Sequence, residues 1–212
     1  MHWSFRAKRS RLAGCFFICV AALLPAAPAA DIGHTTRVIR RADVLRGKST
    51  TALKEQEGVA ENDRIRTQSS GRVRVVLNDG SILNIGSSSL LIVRGAAETT
   101  SAGVLELSYG RLRAVVAAQV GKNFEVRTRT AVCGVLGTTL FIDSSQDLTR
   151  VANLSEEPSA RVRVTSTNPA ARGEVVLLPG QGTSVPAQGP PQPPRRWTLE
   201  EVQAANQDTQ IP

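Results

Sequence analysis

Between about residues 36 and 185 the chain is written in short β-branched runs separated by Gly, Asp, Asn or Ser, and no segment there sustains a 3.6-residue apolar period for three turns. The clearest runs are 72–77, 81–85, 90–93, 104–109, 111–117, 124–130, 139–143, 161–165 and 174–178. Their starts fall mostly about 8–12 residues apart, the spacing of an all-β sandwich, barrel or solenoid rather than of alternating β and α units. Asn78-Asp79-Gly80 separates two of them and predicts a hairpin, because Asp-Gly supplies the positive φ that a tight reversal needs. Only Pro158, Pro169 and Pro179 of the eleven prolines fall within the region, as strands that need their N–H groups require.

Five triplets recur along these runs: Arg64-Ile65-Arg66, Arg72-Val73-Arg74, Arg111-Leu112-Arg113, Arg127-Thr128-Arg129 and Arg161-Val162-Arg163. Residues i and i+2 of a strand share a face, so each triplet sets two guanidiniums opposite a mostly apolar residue. Such a ladder can grip phosphate or carboxylate groups in a bidentate manner. The alternative is a solvated polar face whose charge is balanced by Asp and Glu of neighbouring strands. Arg64, Arg66, Arg72, Arg74, Arg111, Arg113, Arg127 and Arg129 are the candidate binding residues.

The formal charge of +8, from 26 Lys+Arg and 18 Asp+Glu, would point to an anionic partner if it belonged to the folded body. Four of the cations, Arg6, Lys8, Arg9 and Arg11, instead precede an uncharged, mostly apolar stretch at 12–24 that is followed by Ala27-Pro28-Ala29. This three-part pattern is that of a secretory signal over residues 1–29, and without it the balance is 22 against 18, or +4. The thirteen-residue apolar run is short of the roughly 20 residues of a membrane-spanning helix, so no span is expected after cleavage; an uncleaved anchor is the alternative. The expected location is periplasmic or extracellular, an oxidising compartment. His34 and Cys133 are then the whole His/Cys inventory of the mature chain, with Cys133 either buried among apolar neighbours or paired between chains.

That inventory excludes a zinc cage, a Ser-His-Asp triad and a disulfide framework. The carboxylate pairs Asp143 with Asp147 and Glu156 with Glu157 lie in apparent loops, and 143–147 lacks the Asp/Asn and Gly alternation of a calcium loop. Four aromatic residues after the leader, Tyr109, Phe124, Phe141 and Trp197, are too few for base stacking. No enzyme activity, cofactor, metal or nucleic-acid partner is expected.

Residues 186–194, Pro-Ala-Gln-Gly-Pro-Pro-Gln-Pro-Pro, read as part of an extended linker over 186–196. A short helix over 197–207 follows, with Thr198 as cap, Glu201 completing a capping box and Trp197 stapling onto Val202. Such a helix is marginal alone in water and should dock, on its own body or on a partner through Trp197 and Val202.

Asp63-Arg-Ile-Arg-Thr67, Leu77-Asn-Asp-Gly-Ser81, Leu105-Glu-Leu-Ser-Tyr-Gly110, Phe124-Glu-Val-Arg-Thr128 and Gly134-Val-Leu-Gly-Thr-Thr-Leu-Phe141 occur in this order. The set resembles the FecR domain, marked by D-x-I-x-T, L-x-D-G-S, a strand end with Gly, F-x-V-x-T and G-V-R-G-T-x-F elements, and extends over roughly 38–185. Leu136 stands where that family usually has Arg. The resemblance assigns structural motif roles to Asp79, Gly80, Gly134, Gly137, Thr138 and Phe141. It also implies an all-β extracytoplasmic domain that receives a signal from an outer-membrane transducer and relays it to a sigma-factor-controlling segment. With eleven residues ahead of the apolar run, no cytoplasmic sigma-binding segment is expected, so only the recognition half of that mechanism would be shared.

Together these readings predict a single all-β domain of many short strands at 36–185, sandwich- or solenoid-like, with a short C-terminal helix. Its expected function is that of an exported, non-catalytic module of the cell envelope that docks a protein partner at a free sheet edge, in signal sensing. The alternative is a structural or adhesive protein whose arginine face holds anionic polysaccharide or lipid.

Overall fold

Where apolar and polar residues alternate, the chain is extended. In Arg72–Leu77 the residues Val73, Val75 and Leu77 turn inward while Arg72, Arg74 and Val76 turn out. The computed structural model describes residues 1–2, 30–96, 103–118, 124–135 and 137–212, so nearly all of the expected leader, and Leu136, lie outside the described residues. Eight strands come first: β1 (Asp31–Ile39), β2 (Ala42–Arg46), β3 (Ser49–Ala52), β4 (Gly58–Ala60), β5 (Arg64–Thr67), β6 (Arg72–Leu77), β7 (Ile82–Ile85) and β8 (Leu90–Ala96). A long β9 (Gly103–Val115) leads to β10 (Phe124–Arg127), β11 (Ala131–Val135), β12 (Thr139–Ser144), β13 (Leu148–Asn153) and β14 (Val162–Ser166). The chain closes with β15 (Glu174–Leu177), β16 (Gln181–Pro186), β17 (Arg195–Arg196) and the one described helix, α1 (Leu199–Thr209).

The strands form one hydrogen-bonded network folded into two layers at β9. The front layer runs β4-β1-β6-β7-β9-β12-β13-β16-β17 and the back layer β3-β2-β5-β8-β9-β10-β11-β14-β15. A single apolar cluster fills the space between them: Val73, Leu83, Ile85, Leu112, Leu140 and Ile142 from the front meet Val44, Ile65, Leu91, Leu107, Val126 and Leu177 from the back. Each such side chain contributes roughly 1.5–3 kcal/mol on full burial.

The sequence predicts two strands, 104–109 and 111–117, broken at Gly110; the structure has one strand that changes layers there. Leu105, Leu107 and Tyr109 pair with β8 in the back layer, and from Gly110 to Val115 the same strand pairs with β12 in the front. Gly110 has φ +94°, and a Cβ on it would lie 2.5 Å from Ser89 Cα. Ser89 Oγ secures the crossing by accepting from the Arg111 N–H at 2.9 Å. Because β9 ends on the front, the chain must return to begin β10 beside the start of β9, and β9–β10 is the one parallel pairing among the described residues.

The motif threonines tie down strand ends. Thr67 Oγ1 donates to the Gly86 carbonyl at 2.6 Å and accepts from Ser89 N–H, while Thr128 Oγ1 bonds Ala131 and Thr149. At the β6–β7 reversal Gly80 has φ +86° and Asp79 Oδ1 accepts from Ser81 N–H at 2.8 Å. Pro186, read as the start of a linker, is the last residue of β16 opposite Leu148, a position where a strand can do without an N–H.

Cys133 points into the core with no exposed surface. Burial, with the charge of Glu125 adding, pushes its thiol up from 9.0 to about 12. A product that starts near Ala30, with Cys133 as its one cysteine, is therefore expected not to react with a disulfide-forming thiol reagent until it is unfolded. The same shift makes stability fall as pH rises from about 9 towards 12, because the unfolded thiol ionises first. One equivalent of rapid labelling in the native state would overturn this.

A candidate recognition face under the C-terminal helix

After β16 the Pro-rich segment does not leave the body. Ala187 N–H donates to the Asp147 carbonyl, Asn168 Nδ2 donates to the Ala187 carbonyl, and Gln192 N–H donates to Ser184 at 2.9 Å. This return leg delivers β17 against β16, with Gly182 opposite Arg195. Trp197 then lies on the front sheet. A Cβ on Gly182 would be 2.5 Å from the indole Cδ1, and the ring meets Phe141 edge-on with centroids 5.7 Å apart. Thr198 caps α1 with a complete capping box, Thr198 Oγ1 accepting from Glu201 N–H and Glu201 accepting from Thr198 N–H. Trp197 packs in a cluster with Phe141, Ala152, Ala205 and Leu154, whereas Val202 is only half-buried and its staple is not part of that cluster.

Four of the eight candidate arginines meet this segment. Arg113 Nη1 donates to Asn206 Oδ1, and Arg111 Nη1 pairs with Asp208 at 2.7 Å while its Nε faces Asp143 at 3.7 Å. Arg72 Nη1 donates to the Gln210 carbonyl at 3.4 Å, and Arg74 Nη2 to the Ile211 carbonyl. Arg74 is itself held by Asn84 Oδ1 at 3.0 Å. Burial lowers the pKa of Arg113. The four cations come from β6 and β9, separate neighbours of β7 in the front layer, and they converge on the last turn of a helix that has no basic residue there.

A cavity of about 160 Å³ remains between α1 and the sheet, lined among others by Arg111, Arg150, Arg195, Asp143, Glu201 and Asp208. Its charges are matched. The two Arg195 hydrogen bonds, and then the Thr198 backbone, pull Glu201 down to about 2. Asp143, a candidate for carboxylate chemistry, faces Arg111, while Glu157 accepts from Ser159. Asp147, Glu156 and Glu157 are exposed outside the strands, as the sequence pattern implies. No cluster of three or more His, Cys, Asp or Glu suited to a metal occurs among the described residues.

One motif residue lies directly beneath this face, and the others hold the body elsewhere. Phe141 on β12 lies under Trp197. Gly137 has φ +60° with Ala118 only 2.8 Å from where a Cβ would sit, and buried Thr138 accepts at its carbonyl from Val116 N–H. Gly134 pairs with Glu125 and Arg163 and has open space where a Cβ would be. Asp63, first residue of the motif set, is buried and accepts from Arg46 Nε at 2.9 Å and from Ala60 N–H at 2.9 Å. Residues 63–157, which hold all five motifs, match the family described as FecR protein. That stretch, just under half of the chain, is FecR-like.

The fold of the chain is similar to that in two crystal structures, at 2.50 and 1.65 Å, of a protein from Parabacteroides distasonis ATCC 8503 described provisionally as an anti-sigma factor. Each comparison gives a TM-score of 0.55 and 22% identity over 66% of this chain. The chain spans 62–63% of that protein's length, less than two thirds. No curated protein matches the sequence. A FecR domain fits a regulatory role in signal transduction.

The other four candidate arginines lie on the back layer, so the eight do not share one face. Arg66 pairs with buried Asp43 at 3.3 Å, and Arg64 is exposed. Arg127 pairs with Glu125 of its own strand, and Arg129 lies past the end of β10, exposed. Arg94 and Glu106 pair between them at 2.8 Å. An open groove of about 700 Å³ brings Tyr109, Arg127 and Arg129 together. Sequence reasoning took Gly110 as a strand end and passed over its crossing role, Gly182 and the Arg46–Asp63 pair. Only Gly110 carried a local signal, as a break between two runs.

Proposed function

We propose that this chain is an exported, non-catalytic sensing module of the cell envelope that docks a protein partner by adding a strand at β15. The FecR-like stretch supports the regulatory role, and β15 supplies the edge that carries the reading. Val176 within it and Leu178 just past its end are both 43% exposed, and among the described residues it pairs with β14 alone. The three other edges are less suited. β3 is Ser-Thr-Thr-Ala with every residue exposed, β4 has three residues with Asp31 against Gly58, and β17 has two. Short polar edges resist added strands, whereas an apolar one invites them. Export rests on the leader at 1–29, and cleavage there predicts a product mass that starts near Ala30.

A photo-crosslinking residue placed at Val176 in intact cells should yield one discrete adduct with an envelope protein, and the same residue at Thr50 on β3 should not. Equal adducts at the two edges, or none above background, would sink the reading. A second reading is favoured by one observation, the groove that sets exposed Tyr109 beside Arg127 and Arg129. An aromatic face with guanidiniums suits an acidic sugar, so retention on anionic polysaccharide should fall with salt and with Arg129→Ala.

A further inference from the structure

The last turn of α1 is electrostatically ill suited to stand alone. The C-terminal end of a helix carries partial negative charge and unpaired carbonyls, which favour basic neighbours. Here Asp208 sits in that turn, no basic residue is present, and the cap is Gln210 in an extended conformation. Residues 199–212 hold Glu200, Glu201 and Asp208 and no Lys or Arg at all.

The front sheet provides what the helix lacks. Arg111 neutralises Asp208, Arg113 bonds Asn206, and Arg72 and Arg74 donate to the carbonyls of Gln210 and Ile211. The surface is cut to let a helix end approach, since a Cβ on Gly86 would already be 3.3 Å from the Asp208 carbonyl. The site also has donor capacity that α1 does not use: Arg72 Nε is buried and meets no acceptor among the described residues.

Within α1 itself apolar burial is small, and its apolar hold comes from Trp197 before it and Ile211, 3% exposed, after it. Of its eleven residues only Ala205 and Thr209 are buried, and Leu199 is 74% exposed. A helix of this length is unstable in isolation, so its order depends on these flanking contacts together with a seam of charge-assisted hydrogen bonds. The four arginines lie inside the matched stretch 63–157 and α1 lies outside it, so helix and receptor surface are separable parts of the chain.

We propose that the outer face of the front sheet is a recognition surface for the negative C-terminal end of an acidic helix carried by a partner protein, and that α1 fills this surface in cis as a displaceable stand-in. The stand-in shows the pattern a partner helix would need: an aromatic anchor as Trp197, a small residue as Ala205 over Phe141, and a carboxylate one turn later as Asp208 at Arg111. This surface is on the opposite layer from the β15 edge and shares no residue with it.

The test uses the full chain and a labelled peptide of residues 197–212 as the probe. Asp208→Lys, which places a cation among the four arginines, and Trp197→Ala, which removes the anchor, each loosen α1 without touching the core between the layers. Freed of a cis competitor, either variant should bind the peptide about tenfold or more tighter than the wild-type chain does. The gain should vanish when Arg111→Glu is added. Each variant must keep the wild-type far-ultraviolet strand signal. If Trp197→Ala loses it, the Asp208→Lys comparison alone decides. Variants that stay folded and bind the peptide no better than wild type would overturn the proposal. Binding of heparin equal to that of the peptide would overturn it too, since the face would then be a general anion patch.

Discussion

Gly110→Ala is expected to destabilise the chain by about 3 kcal/mol, a fall in melting temperature of roughly 6–12 °C for a domain of this size. Two costs act together. At φ +94° an L-residue is strained wherever space exists, and here there is none, since the new methyl would sit 2.5 Å from Ser89 Cα. Ser89 cannot give way cheaply, because its Oγ holds Arg111 N–H and donates to the Ser87 carbonyl at 3.0 Å. Moving it would loosen the point where β9 passes from back to front, and β9 joins the two halves of each layer. Gly134→Ala is the control. Its Cβ would meet nothing within 4 Å, so the change should stay within about 0.5 kcal/mol. Thermal unfolding of the two variants side by side decides the matter, and equal melting temperatures would refute the pivot role.

Asp63→Ala is expected to cost about 2–3 kcal/mol. The Asp63 side chain is 3% exposed and gathers Arg46 through Nε and Nη2 together with the N–H of Ala60. Its removal leaves that amide without an acceptor. It also frees Arg46, which further bonds Glu57 at 3.1 Å and the Gly58 carbonyl at 2.6 Å and so ties β2 to the turn before β4. The hydrogen bond to Asp63 is the main reason the Arg46 guanidinium holds its proton more tightly than usual. Arg46 is 42% exposed and can rehydrate, which keeps the loss below that of a fully buried pair. A double-mutant cycle with Arg46→Ala, measured by urea unfolding, should return a coupling of about 1–2 kcal/mol. Additive losses would show that the two side chains act separately.

Much of the strand content was legible because alternation has a short range. In Arg72–Leu77 and Phe124–Arg127 the period-two pattern alone places Val73, Val75, Phe124 and Val126 inward. The hairpin at 78–80 was equally local, since Asp79 and Gly80 carry their own turn chemistry. Gly110 was legible as an interruption but not as a crossing. A glycine between two runs looks the same whether the chain turns back or changes partners, and the difference lies in which strands stand beside it. The Pro-rich segment was legible as neither helix nor central strand, yet its fixed path depends on Asp147 and Asn168, both distant in sequence, as well as on Ser184 of the adjoining strand.

The arginine triplets mark the boundary most clearly. Their spacing alone settles that Arg72 and Arg74, or Arg111 and Arg113, leave the same side of a strand opposite an apolar residue, because that follows from backbone geometry at every position. It settles nothing about what lies over that side. The partners of Arg113 and Arg74 are 93 and 137 residues further along the chain, that of Arg66 lies on the neighbouring strand β2, and that of Arg127 is on its own strand. Local residues thus specified strands, a capped helix and two-faced triplets. Packing of distant segments then divided one apparent arginine ladder into a face closed by α1 and an open groove at Tyr109, since electrostatic pairing depends on distance in space and is blind to distance along the chain.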